Sequence, residues 1–437
     1  MDVQSSQGGK QRHSPLPKAF DKRLFRGTMR WFPSITLLRR SGMITKFDSL
    51  FAGHIDMDNV GYAGTPVNDR RFPNEHLVTV FDKAQAMAQL MDRLGYDTFW
   101  TAEHHFQHEG YECIPNVLML AVHLAHVTER LRFGCGFNIT PMWHPLRLAE
   151  DFAMADTLTG GRVTFGVGRG YHTREVETFG SPLRDQPANR ELFEEQVAII
   201  FKAFNEESFS HQGKYYTLPP KVPYRGYELR ELTLVPRPLR RPVECWQPIQ
   251  GGSQRALDFM AKYGIKGVVG GGSAEGGAMH KVVLDWQAAQ ARVGRHLALG
   301  EDLCFGFHFY IANNREQGIR EAGKYYEENL KMFGPLRLVR ALTDQQIEDM
   351  ADPRKAPYAG LPTIEDAINK GGVLCGSPDD IIEHLKRLEE RYPGLERVMV
   401  SLSVGVPKTV VLEQLERFAT EVMPAFKAPV DEAVLAD

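Results

Sequence analysis

No apolar run in the 437 residues approaches the roughly 20 needed to cross a bilayer, which sets membrane spanning aside. Cysteine is scarce: Cys113, Cys135, Cys245, Cys304 and Cys375 form no Cys-x-x-Cys pair, so reduced thiols in a cytoplasmic protein are expected rather than a disulfide framework. Charge of one sign is lacking too. Lys+Arg number 52 against 55 Asp+Glu, a net charge of -3, which argues against nucleic acid or a membrane surface as the main partner. No unit of about 20–50 residues recurs, and a solenoid is thereby excluded. The alternation Gly166-x-Gly168-x-Gly170 lacks both the third glycine spacing and the acidic residue about 20 positions on that a dinucleotide fingerprint needs.

What the chain does have is alternation. Apolar runs that read as strands are followed by segments with apolar residues at three- and four-residue steps, as a parallel α/β sheet requires. Val80, Ala84, Met87, Met91 and Leu94 mark one such helical face, and Leu118, Ala121, Leu124, Ala125 and Thr128 another. Strands are expected at 44–52, 96–101, 131–138, 162–168, 244–250, 265–269, 303–311 and 397–402, with a closing helix over 409–426. Hydrophobic content of 43% leaves the core no shortage. The architecture expected is a (β/α)8 TIM barrel occupying residues 43–437, with long insertions at the C-terminal ends of its strands; the segment 313–374 is a candidate lid. Residues 1–42 carry nine Lys or Arg against two Asp and no sustained period, and read as a flexible basic arm.

Two places in this frame can carry chemistry. Glu103-His104-His105 follows the apolar run that ends at Thr101, so it sits at a strand end, where barrels gather catalytic groups. Neighbours on an extended strand point to opposite faces, and no second cluster at ligand spacing follows, so no metal site is expected. Gly251-Gly252-Ser253 lies between an apolar strand and a helix. Such a turn offers backbone N–H groups to a phosphate, with Arg169 able to approach from the neighbouring strand end and Gly170 giving room; a plain turn is the competing reading.

The segment from Phe99 to Gly180 resembles the bacterial luciferase-like family of flavin-dependent monooxygenases. The resemblance rests on Glu103-His104-His105-Phe106, then Pro141, His144-Pro145, Arg147, Glu150-Asp151, Gly161-Arg162, Phe165-Gly166, Arg169-Gly170 and Phe179-Gly180 in the family's order, with weaker similarity from about Met43 to Phe426. It implies a two-component enzyme. An NAD(P)H-dependent flavin reductase supplies reduced FMN, dioxygen adds to give a flavin 4a-(hydro)peroxide, and one oxygen atom passes to a small organic substrate. It further implies that His104 acts as base or hydrogen-bond partner with Glu103 orienting it or shaping the pocket, that Gly251, Gly252, Ser253, Arg169 and Gly170 hold the FMN phosphate, and that the end of the third strand meets the flavin, with Asn138 as its polar contact; Phe137, Trp100 and Tyr171 are candidate walls for a flat ring. A homodimer through the helices near Asn116 and Pro145 is implied as well; the surplus apolar residues Met119 and Val122 agree with it, although that face has the alternative of packing under the loop 206–243. A deazaflavin-dependent hydride-transfer oxidoreductase on the same barrel and a non-catalytic flavin-binding protein stand as alternatives.

Overall fold

The computed structural model describes residues 44–270, 277–339 and 342–426. The expected arm at 1–42 and the glycines at 271 and 272 lie outside them. Eight parallel strands close on themselves: β1 (Lys46–Phe51), β2 (Thr98–Thr101), β3 (Arg132–Cys135), β4 (Val163–Gly168), β5 (Cys245–Pro248), β6 (Lys266–Gly270), β7 (Leu303–Ile311) and β8 (Arg397–Ser401). The ring is completed where β8 lies beside β1, with Lys46 opposite Arg397. Strands wrapped by helices are buried on both faces, which is why they read as nearly unbroken apolar runs. Trp100, Trp246, Cys304 and Met399 fill the barrel interior.

Helices cover the outside: α1 (Thr79–Leu94), α2 (Val117–His126), α3 (Pro145–Leu158), α4 (Gln186–Asn205), α5 (Gln254–Tyr263) and α6 (Ala278–Arg292). Their ends follow local chemistry. Asn116 caps α2 by accepting from the Met119 amide at 2.8 Å, and α1 stops at Gly95, whose φ of +83° suits a residue without a Cβ. After β7 comes an insertion with α7 (Arg315–Phe333), α8 (Asp344–Met350), α9 (Ile364–Asn369) and a short strand, Val373–Gly376, that adds alongside β7. The chain then returns through α10 (Pro378–Arg391) to β8 and α11 (Lys408–Arg417).

Two expected elements differ. The third strand, expected through Asn138, leaves its ladder after Cys135 and resumes only at Asn138–Ile139, beside Val167 and Gly168. The cause is Trp100: a Cβ on Gly134 would stand 2.2 Å from its indole and one on Gly136 3.3 Å, so the two glycines let the ring press on the backbone and the chain steps around it. The closing helix ends at Arg417 and continues as a widened turn, Phe418–Val422, and a tight one, Met423–Phe426. Pro424 has no N–H to donate, which breaks the regular ladder there.

Two buried groups brace this frame. At the N-terminal end of the barrel, Arg397 donates to Asp48 at 2.6 and 2.7 Å and to Asp97 at 2.6 Å, while the Trp100 indole N–H donates to Asp48 at 2.8 Å. Over the opposite end, Glu328 of α7 is fully buried and accepts from the Gly61 amide at 2.8 Å, Arg70 Nε at 2.9 Å, Lys331 Nζ at 2.9 Å and the Tyr111 hydroxyl.

Candidate active site

The C-terminal ends of the strands surround a cavity of about 420 Å³. Its floor is apolar, formed by Leu50, Ala102, Phe137 and Ile139; its rim carries Arg169-Gly170-Tyr171 after β4 and Gly251 and Ser253 after β5.

One end of the cavity suits an anion. Ser253 caps α5, accepting from the Ala256 amide at 3.4 Å, and the remaining free N–H groups of the first turn bring the positive end of the helix dipole to the cavity edge. Arg169 is half-buried and holds two neutral amides, Asn189 Oδ1 at 3.1 Å and Gln186 Oε1 at 3.4 Å, while Arg190 lines the same wall. Burial, and then the charge of Arg190, lowers the Arg169 pKa; an anion between the two guanidinium groups would reverse that. Gly170 is required by shape. Its φ is +81°, and a Cβ there would meet Val176 at 2.5 Å and Ile139 at 2.9 Å.

The other end suits proton transfer. His104 is buried, with Nδ1 at 3.2 Å from Glu175 Oε2 and Nε2 at 3.0 Å from the Tyr171 hydroxyl and 3.2 Å from Glu112 Oε1. Tyr171 donates to Glu112 Oε1 at 2.7 Å, His172 Nε2 stands 2.9 Å from Glu112 Oε2, and Gln107 donates to Glu175 Oε1 at 2.8 Å. Burial alone would lower the His104 pKa, but the charge of Glu112 and the hydrogen bond and charge of Glu175 outweigh it, and the net shift is upward. Glu175 is correspondingly held below the ordinary carboxylate range against its own burial, through its bond to His104. Burial and Glu112 keep Tyr171 protonated, its pKa raised well above the usual phenol value. The cluster therefore sets the His104 imidazole between two carboxyl groups whose contacts favour its protonated form.

Of the residues singled out from the sequence, His104, Arg169, Gly170, Tyr171, Gly251 and Ser253 line this one cavity. Gly252 stands beside it, facing Asp285 and Leu257. Glu103 and Asn138 turn away. Strand alternation sends the Glu103 carboxylate outward, where it accepts from the Ile139 amide at 2.7 Å and the Trp143 indole at 2.8 Å and meets His105 at 3.2 Å; it positions the chain after β3 and does not orient His104. The Asn138 amide donates to the Gly166 carbonyl at 2.8 Å, and its neighbours Phe137 and Ile139 face the cavity instead. Besides Tyr171, the residues that hold His104 are Glu112 and Glu175, with the His172 ring packed beside it, and these three were missed in the sequence. His172 adjoins Tyr171 and was within reach; Glu112 and Glu175 come from a loop and a four-residue helix with no spacing signal. One donor atom each from His104, His172 and Glu175 lies within 4.8 Å of the others, as metal ligands do, yet each already bonds within the cluster and a cation would have to displace those contacts.

With this geometry in place, comparison with known proteins decides the family. The profile of the luciferase-like monooxygenases matches residues 58–393. The chain belongs to that family. An uncharacterised protein of Sinorhizobium fredii is 34% identical to this luciferase-like monooxygenase over 133 residues, which span 30% of this chain and 36% of that protein. The oxygenase component of flavin-dependent trigonelline monooxygenase from Acinetobacter baylyi is 25% identical over 356 residues, 79% of this chain and 90% of that one. Among solved structures, the oxygenating constituent of 3,6-diketocamphane monooxygenase from Pseudomonas putida, in complex with FMN, shares the fold with a TM-score of 0.63 at 19% identity, covering 89% of this chain and 100% of that one. The fold of the luciferase-like monooxygenases thus accommodates the whole described barrel.

Proposed function

We propose that this luciferase-like monooxygenase uses reduced FMN, delivered by a separate NAD(P)H-dependent flavin reductase, and dioxygen to oxygenate a small organic substrate. The observation that carries the proposal is the pairing, within one cavity, of a two-arginine anion cradle at one end with an imidazole held between carboxyl groups at the other. The donor set fits FMN. Arg169, Arg190, the first turn of α5 and the room left by Gly170 would hold the phosphate; Leu50, Ala102 and Phe137 offer the apolar surface a flavin ring needs. Reduced FMN, when bound, supplies the electrons that activate dioxygen, one oxygen atom going to the substrate and the other leaving as water. His104 holds a proton at Nε2, on the side where the ring would lie, and Glu112 and Glu175 keep it there. The segment 313–374 serves as a lid: Phe333 at the end of α7 lines the cavity, and excluding water protects a reactive oxygen species from decay.

The protein acts as a homodimer in this reading. Met119 on α2 and Met154 and Leu158 on α3 are 72%, 54% and 62% exposed, and apolar surface of that kind on two adjacent helices favours a partner. The cofactor assignment is tested by equilibrium binding of reduced FMN against reduced deazaflavin, followed by oxygen-dependent product formation measured by mass across a panel of small heterocycles, terpenes and ketones. Tighter binding of deazaflavin, with hydride transfer and no oxygen uptake, would replace the proposal by a reductase; flavin binding with no product from any substrate and no oxygen uptake would reduce the protein to a flavin carrier.

A further inference from the structure

The cluster around His104 is also a partition. On one side lies the cavity just described; on the other lies a second cavity of about 410 Å³, walled by Gln107, His172 and Arg174 and by Lys331, Met332 and Met350 of the insertion. His104, Tyr171 and Glu112 border the inner cavity, His172 and Gln107 border the outer one, and His104, Glu112 and Gln107 also reach a third, of about 350 Å³, beside Phe106 and His108, so the test below decides which space supplies the proton. Contacts run through the wall without a gap: His104 Nε2 to Glu112 Oε1 at 3.2 Å, then Glu112 Oε2 to His172 Nε2 at 2.9 Å. Resting on the monooxygenase reading above, we propose that His104, Glu112 and His172 form a proton path between the two cavities, with His172 as its outer terminus.

The chemistry requires a proton from somewhere. Reduced flavin at neutral pH is the monoanion, so the net reaction is reduced flavin anion plus O2 plus substrate plus one H⁺, giving oxidised flavin, oxygenated substrate and water. An inner cavity filled by cofactor and substrate excludes the water that would otherwise supply that proton. His104 gives up its Nε2 proton to the oxygen atom that leaves as water. Glu112 then takes the Nε2 proton of His172 on Oε2, turns about its Cγ–Cδ bond and gives that proton to His104 Nε2, ending as the carboxylate it began as. His172 takes a proton at Nδ1 from solvent in the outer cavity, which leaves the Nδ1–H tautomer; rotation of the ring toward that cavity and exchange of this proton for one at Nε2 restore the starting state. Charge is conserved at each transfer, and Glu175 stays on His104 Nδ1 throughout as the compensating anion.

The surroundings of His172 favour this direction. Glu112 faces its Nε2, the Gln107 amide stands 3.5 Å from the same nitrogen, and the rings of Tyr171 and His104 lie 4.6 and 5.2 Å away by their centroids. Of the outer cavity's charged side chains, Arg174 and Glu109 close on each other through bonds of 2.7 and 2.9 Å, Lys331 is bound to Glu328, and Asp69 is exposed on the rim. Among these groups His172 is the one bonded to the carboxyl group that reaches His104.

The first arm of the test needs no cofactor. Nitrogen-15 histidine NMR on the flavin-free protein reads how fast the His104 ring N–H exchanges with bulk water, and His172→Gln should slow it about ten-fold or more if His172 is the outlet of a general acid–base relay. Glu112→Gln should do the same, which keeps the test available should either variant fold poorly. In the second arm, stopped-flow turnover with reduced FMN should show His172→Ala lowering the rate without weakening reduced-FMN binding, flattening the pH profile, and recovering when imidazole is added. Unchanged His104 exchange in both glutamine variants overturns the path whatever the flavin result. Failure of the parent protein to bind reduced FMN overturns the monooxygenase reading, and with it the path's role in oxygenation, while the NMR arm still decides whether protons pass through His172.

Discussion

Each end of the barrel holds a buried basic side chain between two carboxyl groups, and the difference lies in which base. At the N-terminal end, Arg397 sits between Asp48 and Asp97, anchored by strands β1 and β8. At the C-terminal end, His104 sits between Glu112 and Glu175, both supplied by connecting segments. A guanidinium stays charged at any pH a protein survives, so the first arrangement is a fixed brace. An imidazolium can release its proton near neutrality, so the same electrostatic design becomes a donor. Two carboxyl groups flank each; the choice of guanidinium or imidazole separates scaffold from site.

That contrast is broken most severely by His104→Ala. Product formation should fall by about 10²–10⁴-fold, the usual contribution of a positioned acid or base, while thermal melting and reduced-FMN affinity stay near the parent values. Loss of melting temperature in step with activity would make His104 a second brace. Asp48→Ala should do the reverse: breaking a buried pair costs about 3–5 kcal/mol of stability, read by denaturant unfolding, with reduced-FMN affinity per folded molecule unaltered. Arg169→Ala should weaken reduced FMN by roughly 10- to 150-fold, the equivalent of about 1.5–3 kcal/mol for a charge-assisted bond. Riboflavin, which has no phosphate, should bind parent and variant equally, and an equal loss for riboflavin would place Arg169 elsewhere.

A subtler change sharpens the comparison. Because Glu112 and then Glu175 outweigh burial and raise the His104 pKa above its ordinary 6.5, the contribution of its protonated form to stability is complete below pH 6.5 and is lost as pH rises through the raised folded-state value. Glu175→Gln should move that loss, and the alkaline limb of the pH–rate profile, to lower pH; an unmoved limb would mean that another group titrates. The smallest effect on the folded chain is expected from Met119→Lys, within about 0.5 kcal/mol for an exposed site, yet it should shift a dimer toward monomer in light scattering. A parent protein that is already monomeric would remove the interface.

The barrel was legible because its signal is repeated: β7 falls where its apolar run places it and α1 where its helical steps do. What failed to show was direction. Glu103 sits in the most conspicuous motif of the chain, but alternation turns its carboxylate to Ile139 and Trp143, which only the path of the chain after β3 reveals. Glu112 and Glu175 reach His104 from segments whose only instruction is tertiary, and a loop carboxylate looks the same in sequence whether it faces water or a histidine.

Glu328 has a consequence for how such an enzyme changes its substrate over time. Its carboxylate binds the loop after β1 through Gly61 and Arg70, the loop after β2 through Tyr111, and its own helix through Lys331. Recombination that imported the post-β7 insertion from a relative lacking this acid would leave Arg70 and the Tyr111 hydroxyl buried without their acceptor. The cover of the barrel is thus inherited as a linked set, and chimaeras should succeed only when the segments 53–74, 104–116 and 313–374 travel together.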